Sequence, residues 1–270
     1  MLQVTTETIW AALSAIREKS PIIHSITNYV VMNNTANALL AIGASPVMAH
    51  AEEEIEEMVG IASALVVNIG TLSPTWVRSM FKAAAAAKKR KIPIVLDPVG
   101  AGATAYRTKT ARELIRSTVP SIIRGNGSEI IALLEEKIQT KGVDSTAASD
   151  AALMIGRKLH ETCGAAICIS GETDYTIGSR GVFKGLNGHA LMTQVTGLGC
   201  TATALCGAFA AVCSNPAEAA ATGMAVMGIA GEIGFSRAKG PGSLQVEFLD
   251  ALYRLSRRDI EDRLQLAWEA

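Results

Sequence analysis

The chain has 270 residues, of which 49% are hydrophobic and 4% aromatic, and its 25 lysine and arginine residues balance its 25 aspartate and glutamate residues. This balance leaves no global field that would attract nucleic acid, so a nucleic-acid partner is not expected. No uninterrupted run of about 18 apolar residues predicts a membrane span, and no basic segment with an apolar core opens the chain, so we expect a cytoplasmic protein with no membrane partner.

Helices and strands are predicted to alternate along the chain. Capping residues and glycines support several of the boundaries: Ser73 and Pro74 open a helix, and Gly43 ends another. The predicted helices are residues 8–19, 33–42, 52–61, 74–91, 108–117, 128–134, 149–162, 200–212, 216–235 and 243–255. The predicted strands are residues 45–48, 64–68, 92–96, 121–124, 165–169, 175–177 and 181–183, the last two as an antiparallel pair.

This alternation predicts an α/β fold, with helices on both faces of a mostly parallel sheet. Alanine, isoleucine, leucine and valine carry most of the apolar content, which suits strands buried beneath close-packed helices. No linker, low-complexity segment or internal repeat divides the sequence. We therefore expect one domain, residues 1–270.

A glycine-rich turn at residues 194–202 is the most informative stretch of the sequence. Gly197 and Gly199 flank the turn, and Cys200 stands at the mouth of a helix of small, apolar residues. Glycines allow backbone N–H groups to approach an anion, and a helix N-terminus adds positive partial charge. The turn is interpreted as an anion site for a transferring phosphoryl group, with Cys200 beside the reacting atoms.

Two other interpretations of this turn stay open at this level. Gly-x-Gly-x-x-Ala also matches a loose dinucleotide fingerprint, but that motif belongs in the first strand–helix unit and needs a later acidic residue at a strand end. Glu218 has the right spacing but lies at a predicted helix start. A purely structural glycine turn is the other alternative.

Five cysteines, an odd number, show no CxxC pair and no spacing typical of zinc. Cys168, Cys206 and Cys213 lie in apolar runs and are predicted to be small buried hydrophobes, whereas Cys163 precedes a glycine at a predicted helix end. Only Cys200 lies in a sequence context, a glycine-rich turn at the start of a predicted helix, that predicts a role in the reaction. A thiol at a helix N-terminus is expected to have a lowered pKa, which would make it a modest general base.

Polar residues gather where the predicted strands end, and the carboxyl ends of parallel strands are the ligand-binding edge of open α/β sheets. Asp97 and Glu129 are interpreted as carboxylates that organise magnesium, and Arg124 as a phosphate contact. The alternatives are an Asx turn at Asp97, a first-turn helix carboxylate at Glu129 and a surface charge at Arg124. His24 is predicted to be a hydrogen-bonded structural histidine.

Together these motifs resemble the ribokinase-like superfamily, and within it the hydroxyethylthiazole kinase family, over nearly the whole chain. Asn126-Gly127-Ser128-Glu129 resembles the superfamily's Asn-x-x-Glu motif, and Gly197-Leu198-Gly199-Cys200 its Gly-x-Gly-Asp anion hole, with the cysteine of this family in the aspartate position. Leu198 and Ser170 stand where the family often has threonine, and both departures leave backbone donors intact. Further similar segments are residues 24–30, 43–48, 68–72 and 96–100.

The resemblance implies a ribokinase-like three-layer α/β/α fold with no separate lid domain, and it implies site residues. Met48 and Gly197 would contact the thiazole alcohol, with Asn28 and Gly70 in the same pocket. The remaining implied roles are ATP contacts for Arg124, Ser170 and Asn126, magnesium for Asp97 and Glu129, and catalysis for Gly197, Gly199 and Cys200.

The implied reaction is ATP-dependent phosphorylation of the primary alcohol of 4-methyl-5-(2-hydroxyethyl)thiazole, a step toward thiamine that uses Mg²⁺. The family also implies a homotrimer with sites between subunits, in which the early residues Asn28 and Met48 would meet the phosphate machinery across a subunit boundary. Three rivals stay open: a kinase for another vitamin-precursor alcohol, a nucleotide-dependent hydrate dehydratase, and a non-catalytic nucleotide-binding module. The first two would normally carry aspartate at the position of Cys200.

Overall fold

A computed structural model describes residues 4–134 and 145–270, with side chains at positions 145–150 left out. Its strands form one sheet in the order β2-β1-β3-β4-β5-β6-β7-β8-β9. The first six strands in this order pair in parallel and the last three are antiparallel. The strands are β1 (Ile22–Ile26), β2 (Ser45–Val47), β3 (Ala64–Asn68), β4 (Ile94–Asp97), β5 (Ile122–Asn126), β6 (Ala166–Ser170), β7 (Asp174–Gly178), β8 (Gly181–Gly185) and β9 (Leu266–Glu269).

Helices cover both faces of this sheet, and the described residues form no separate lid, as predicted. One apolar core lies under α3 to α7, and the other lies under α1, α2 and α8 to α11. The helices are α1 (Thr6–Lys19), α2 (Met32–Ala41), α3 (Ile55–Ile61), α4 (Pro74–Arg90), α5 (Ala105–Thr118), α6 (Gly127–Leu134), α7 (Ser145–Cys163), α8 (Leu198–Ala210), α9 (Pro216–Arg237), α10 (Pro241–Arg254) and α11 (Arg257–Arg263).

Two strands, one α-helix and a short 3-10 helix (Ala190–Gln194) were missed by the sequence-based prediction. Strand β1 contains His24 and Ser25, and these two polar residues mask an apolar pattern although both are fully buried. Helix α11 is almost entirely charged and begins with a capping box between Ser256 and Asp259, while β9 is an exposed edge strand. Pairing with strands distant in the chain decides the structure of β1 and β9, whereas α11 has a local capping signal within a charged segment.

Several predicted boundaries were wrong by a few residues. Helix α3 begins at Ile55 instead of residue 52, because the preceding acidic residues form a turn. Helix α5 begins at Ala105, where the Thr104 side chain caps it, instead of residue 108. Helix α8 begins two residues earlier than predicted, at Leu198, and ends at Ala210.

Two long helices of small residues, α8 and α9, lie against the sheet. Gly207 of α8 approaches it closely: a Cβ there would lie 2.5 Å from Cγ2 of Val66 in β3. The first turns of α8 lie at the strand ends, where Thr203 donates to Asp97 and Arg124 donates to the Gly199 carbonyl oxygen. Helix α9 alone among the described helices is long and apolar enough to cross a membrane, but 83% of its apolar window is buried, as in a core helix of a globular domain.

Candidate active site

Parallel pairing brings the predicted strand-end residues to one edge of the sheet. Asn68 at the end of β3 is the register partner of Asp97 at the end of β4. Asn126 at the end of β5 is likewise the partner of Ser170 at the end of β6. Arg124 lies two residues before the end of β5. The polar residues chosen from the sequence as strand-end candidates therefore share the carboxyl edge.

A chain of buried hydrogen bonds runs along this edge. The Asn28 amide Nδ2 donates to Oδ1 of Asn68 at 2.9 Å, and Asn68 Nδ2 donates to Oδ2 of Asp97 at 2.7 Å. The Thr203 hydroxyl on α8 donates to the same Asp97 oxygen at 2.8 Å. All four side chains are at most 4% exposed. Satisfied buried networks of this kind fix side-chain positions, so the edge is rigid where the sheet meets α8.

Asn68 and Thr203 were not among the predicted site residues. In the sequence Asn68 is a single polar residue at the end of the apolar strand predicted over residues 64–68. Thr203 follows Cys200 by one helical turn, a spacing that places both residues on the same face of α8. That spacing was the signal available in the sequence, but small residues surround Thr203 and conceal it.

Cys200 lies beside this network, on the first turn of α8. Asn28 Nδ2 donates to its Sγ at 3.5 Å, so a residue of the β1 end and the glycine-rich turn meet. Burial, with a contribution from the nearby Asp97 carboxylate, raises the pKa of the Cys200 thiol to about 11. The predicted lowering of this pKa was therefore wrong: desolvation outweighs the helix N-terminus, and the thiol is protonated near neutral pH.

Asn28 meets Cys200 and Asn68 within one chain, which corrects a second expectation. The resemblance implied that Asn28 would reach the phosphate machinery across a subunit boundary. The structure brings them together without a second subunit, because β1 is hydrogen-bonded next to β3 and faces the start of α8.

The glycine turn leaves the first amides of α8 available to a ligand. Gly197 is the N-cap with φ of +87°, and no side chain caps the helix there. A Cβ at Gly197 would lie 2.6 Å from Cγ1 of Val31, so both conformation and space require glycine. The first N–H groups of an α-helix have no partner within the helix. An uncapped helix N-terminus behind a glycine turn can accept an anion.

Arg124 borders the same turn from the β5 side. It is 8% exposed, and its Nη1 donates to the carbonyl oxygen of Gly199 at 2.9 Å. Its buried Nε has no hydrogen-bond partner in the protein. Burial disfavours the charged guanidinium, but nearby anionic groups, Asp97 foremost, outweigh it and raise the pKa of Arg124. A buried, charged and incompletely partnered arginine at a glycine turn suits an anionic ligand.

Glu129 and Asn126 form a reciprocal cap at the start of α6. The Asn126 side chain accepts from the Glu129 amide at 2.9 Å, and Glu129 Oε2 accepts from the Asn126 amide at 2.9 Å. Glu129 Oε1 also accepts from the Gly100 amide at 2.8 Å. The Glu129 carboxylate thus caps the first turn of α6, which is the alternative that the sequence analysis left open. The same hydrogen bonds hold it toward the edge of the sheet.

Asp97 is an unusual carboxyl group because it is 1% exposed. Burial is the main reason that the pKa of Asp97 rises to about 7, although Arg124 and two hydrogen bonds favour the ionised form. Within the described residues no group of three His, Cys, Asp or Glu side chains could hold a metal ion. Asp97 and Glu129 do not make an all-protein cage, but two hard carboxylates fit a Mg²⁺ ion that is carried by nucleotide phosphates and water.

The three remaining predicted contacts lie along the same edge. A Cβ on Gly70 would lie 2.6 Å from Nδ2 of Asn28, so these two pocket residues are adjacent as expected. The Ser170 hydroxyl is 3.5 Å from the Gly125 carbonyl oxygen, a weak bond that leaves it available. Met48 follows the edge strand β2 and is half-buried, and no hydrogen bond joins it to Asn28.

His24 is a structural histidine, as predicted. It is fully buried in β1, and Nε2–H donates to the carbonyl oxygen of Ala49 at 2.8 Å. Burial lowers the pKa of His24, which keeps the ring neutral.

The fold is ribokinase-like: a mostly parallel sheet with a polar carboxyl edge and an uncapped glycine turn that opens α8. A solved ribokinase-like superfamily protein from Enterococcus faecalis V583 has the same fold, with a TM-score of 0.64 at 11% identity over 95% of this chain and 91% of that one. Identity this low establishes the fold alone.

The chain belongs to the hydroxyethylthiazole kinase family, whose model matches residues 13–258. A hydroxyethylthiazole kinase of Syntrophus aciditrophicus (strain SB) is 64% identical over 266 residues, which cover 98% of each chain. The solved hydroxyethylthiazole kinase of Pyrococcus horikoshii OT3 is 43% identical with a TM-score of 0.91, covering 98% of this chain and 100% of that one. The predicted family, enzyme class and thiazole-alcohol kinase activity are thereby confirmed, and the three rival functions are set aside.

Proposed function

We propose that the chain transfers the γ-phosphoryl group of ATP to the primary alcohol of 4-methyl-5-(2-hydroxyethyl)thiazole at the carboxyl edge of its sheet. The carrying observation is the contact of Asn28 with Cys200. Asn28 also donates to Asn68 at the end of β3, so this polar chain meets the first turn of α8, where no side chain caps the helix. An acceptor alcohol and a transferring phosphoryl group can meet there.

The phosphate side of the reaction is assigned to the glycine turn and its neighbours. Phosphoryl transfer depends mainly on positioning and on neutralising charge. The amides of residues 197–200 would hold the transferring group, and the buried guanidinium of Arg124 would offer its charge beside them. Ser170 and Asn126, paired at the ends of β6 and β5, would contact ATP.

Asp97 and Glu129 would hold Mg²⁺ indirectly, through nucleotide oxygens and water. When bound, the ion supplies positive charge that neutralises the phosphates. The chain's own contribution is to hold two carboxylates in place: Asp97 by Asn68 and Thr203, and Glu129 by two backbone amides.

The alcohol side is assigned to Asn28, Gly70, Met48 and Gly197, with Cys200 beside the attacking hydroxyl. A thiol with a pKa near 11 is a poor general base at neutral pH. In a loose transition state the hydroxyl proton leaves late, so a strong base is not required. Cys200 accordingly positions the attacking hydroxyl, and the hydroxyl proton, which leaves late, passes to an oxygen of the transferred phosphoryl group.

Cys200→Asp is expected to keep or raise kcat, because a carboxylate accepts a proton better than a protonated thiol. Repulsion from ATP would oppose this, but the α8 N-terminus and Mg²⁺ offset it. Cys200→Ala is expected to lose activity yet retain a measurable part, since the amides of the turn survive. Steady-state kinetics decides, with Cys213→Ala as a half-buried cysteine control elsewhere in the fold. An inactive aspartate variant beside a fully active alanine variant would reduce Cys200 to a packing residue.

We further propose a cytoplasmic homotrimer in which Met48 reaches a neighbouring subunit's site. Met48 directly follows β2, the edge strand of the sheet, and a residue at the sheet edge is accessible to another chain. Mixing inactive Met48→Ala and Glu129→Gln variants under subunit exchange is then expected to restore part of the activity. A sedimentation experiment that finds a fully active monomer would contradict the shared site.

The proposed function is tested by ADP release from MgATP with the thiazole alcohol, a hydroxymethylpyrimidine alcohol and no acceptor. Release is expected to depend on the thiazole alcohol and on Mg²⁺. The proposal would be overturned if ADP were released faster with the pyrimidine alcohol, or at the same rate with and without an acceptor.

A further inference from the structure

Arg107, in the first turn of α5, binds two loops of the carboxyl edge at once. Its Nη1 donates to the carbonyl oxygens of Val99 at 2.7 Å and Ile69 at 3.2 Å, and its Nη2 donates to that of Gly70 at 2.7 Å. Ile69 and Gly70 follow β3, whereas Val99 follows β4. One guanidinium therefore fixes the separation of the two loops.

These two loops carry different halves of the site. The β3 loop presents Gly70, where a Cβ would lie 2.6 Å from Nδ2 of Asn28 on the alcohol side. The β4 loop presents Gly100, whose amide donates to Glu129 Oε1 at 2.8 Å on the metal side. Gly100 also passes so close to the guanidinium that a Cβ there would lie 3.1 Å from Nη1 of Arg107.

We propose that Arg107 is a positioning residue that sets the distance between the bound alcohol and the metal-bound phosphates. This inference rests on the proposed function. Arg107 touches neither reactant and acts through Gly70 and through Gly100 with Glu129. A guanidinium presents several donors in a rigid fork, and an ammonium in its place cannot hold three carbonyl oxygens in fixed directions. Misplacement of reacting groups by about 1 Å can cost on the order of a hundredfold in rate.

The same helix supplies a matched control. Arg112 is also half-buried, and its guanidinium also donates to backbone carbonyl oxygens, from Nε to Leu133 at 2.9 Å and from Nη2 to Ala132 at 2.9 Å. Those carbonyls lie at the far end of α6, away from the carboxyl edge. Arg112 thus makes the same type of contact as Arg107, a guanidinium bonded to backbone carbonyl oxygens, but at a place away from the candidate site.

The test compares Arg107→Ala, Arg107→Lys, Arg112→Ala and wild type by kcat, KM for both substrates, and thermal unfolding. Arg107→Ala and Arg107→Lys are expected to lower kcat by at least about tenfold, with a smaller rise in either KM. Arg112→Ala is expected to keep kcat within about twofold even where it lowers Tm. Added guanidinium ion at millimolar concentration is expected to restore part of kcat to Arg107→Ala and none to Arg112→Ala.

Equal losses of kcat in Arg107→Ala and Arg112→Ala, or wild-type kcat in Arg107→Lys, would overturn the inference. If Arg107→Ala does not fold, Arg107→Lys decides by the same comparison. If wild type phosphorylates no alcohol, the proposed function fails, and calorimetry of MgATP decides the inference separately. In that measurement weaker binding in Arg107→Lys than in Arg112→Ala supports it, and equal binding refutes it.

Discussion

Asp97→Asn and Glu129→Gln are each expected to lower kcat by more than about tenfold, since each removes a charge that organises Mg²⁺ and phosphate. The structure adds a second cost for each. An asparagine at position 97 leaves the buried Arg124 guanidinium without its main counter-charge. A glutamine at position 129 turns an NH₂ group toward the amide of Gly100 or Asn126, where a carboxylate oxygen now accepts.

The measurement is steady-state kinetics over a range of Mg²⁺ concentrations, with thermal unfolding run in parallel. Burial raises the pKa of Asp97 to about 7, so its ionised form costs folding free energy at neutral pH, and Asp97→Asn is expected to stay folded with a Tm near that of wild type. Glu52→Gln is the control, because it removes only a surface ion pair with Arg78. Wild-type kcat and wild-type Mg²⁺ dependence in both site variants would show that the carboxylates have no part in the reaction.

Gly197→Ala is expected to lower kcat on the order of a hundredfold or more, the scale seen when one donor of an oxyanion hole is lost. The new Cβ meets Val31 Cγ1 at 2.6 Å in a backbone with φ of +87°, so the turn must move. A displaced turn no longer aims the α8 amides at the phosphoryl group. ATP binding is expected to weaken much less, since other contacts hold the nucleotide.

Gly164→Ala separates this effect from simple backbone strain. Gly164 also has a positive φ, +73°, but a Cβ there meets nothing within 4 Å and the residue follows α7, away from the strand ends. Its alanine variant is expected to lose some stability and no kcat. If the two variants lost kcat equally, the glycine turn would have only a folding role.

Much of this site could be predicted from sequence because it obeys a rule of topology. Once strands and helices alternate, the carboxyl ends of β3 to β6 must share an edge, and Asp97, Arg124, Asn126 and Ser170 follow from reading those ends. Gly197 could also be predicted from sequence. A glycine directly before a helix of small residues indicates a turn whose backbone conformation favours glycine.

What could not be predicted depends on burial and on contacts distant in sequence. The pKa of Cys200 was expected to fall from its place on the helix, but its direction is decided by desolvation and by Asp97, 103 positions away in the chain. The contact of Asn28 with Cys200 requires β1, a strand hidden by two buried polar residues. Arg107 resembles any helix-surface arginine until its three carbonyl partners are seen.

Phosphorus NMR of the purified chain with MgATP and the thiazole alcohol tests the phosphoryl transfer most directly. A phosphomonoester resonance of the alcohol is expected to grow in step with ADP, and much more slowly with Glu129→Gln. Release of inorganic phosphate with ADP and no phosphomonoester, or an equal rate in the Glu129→Gln variant, would contradict transfer to the alcohol at this edge of the sheet.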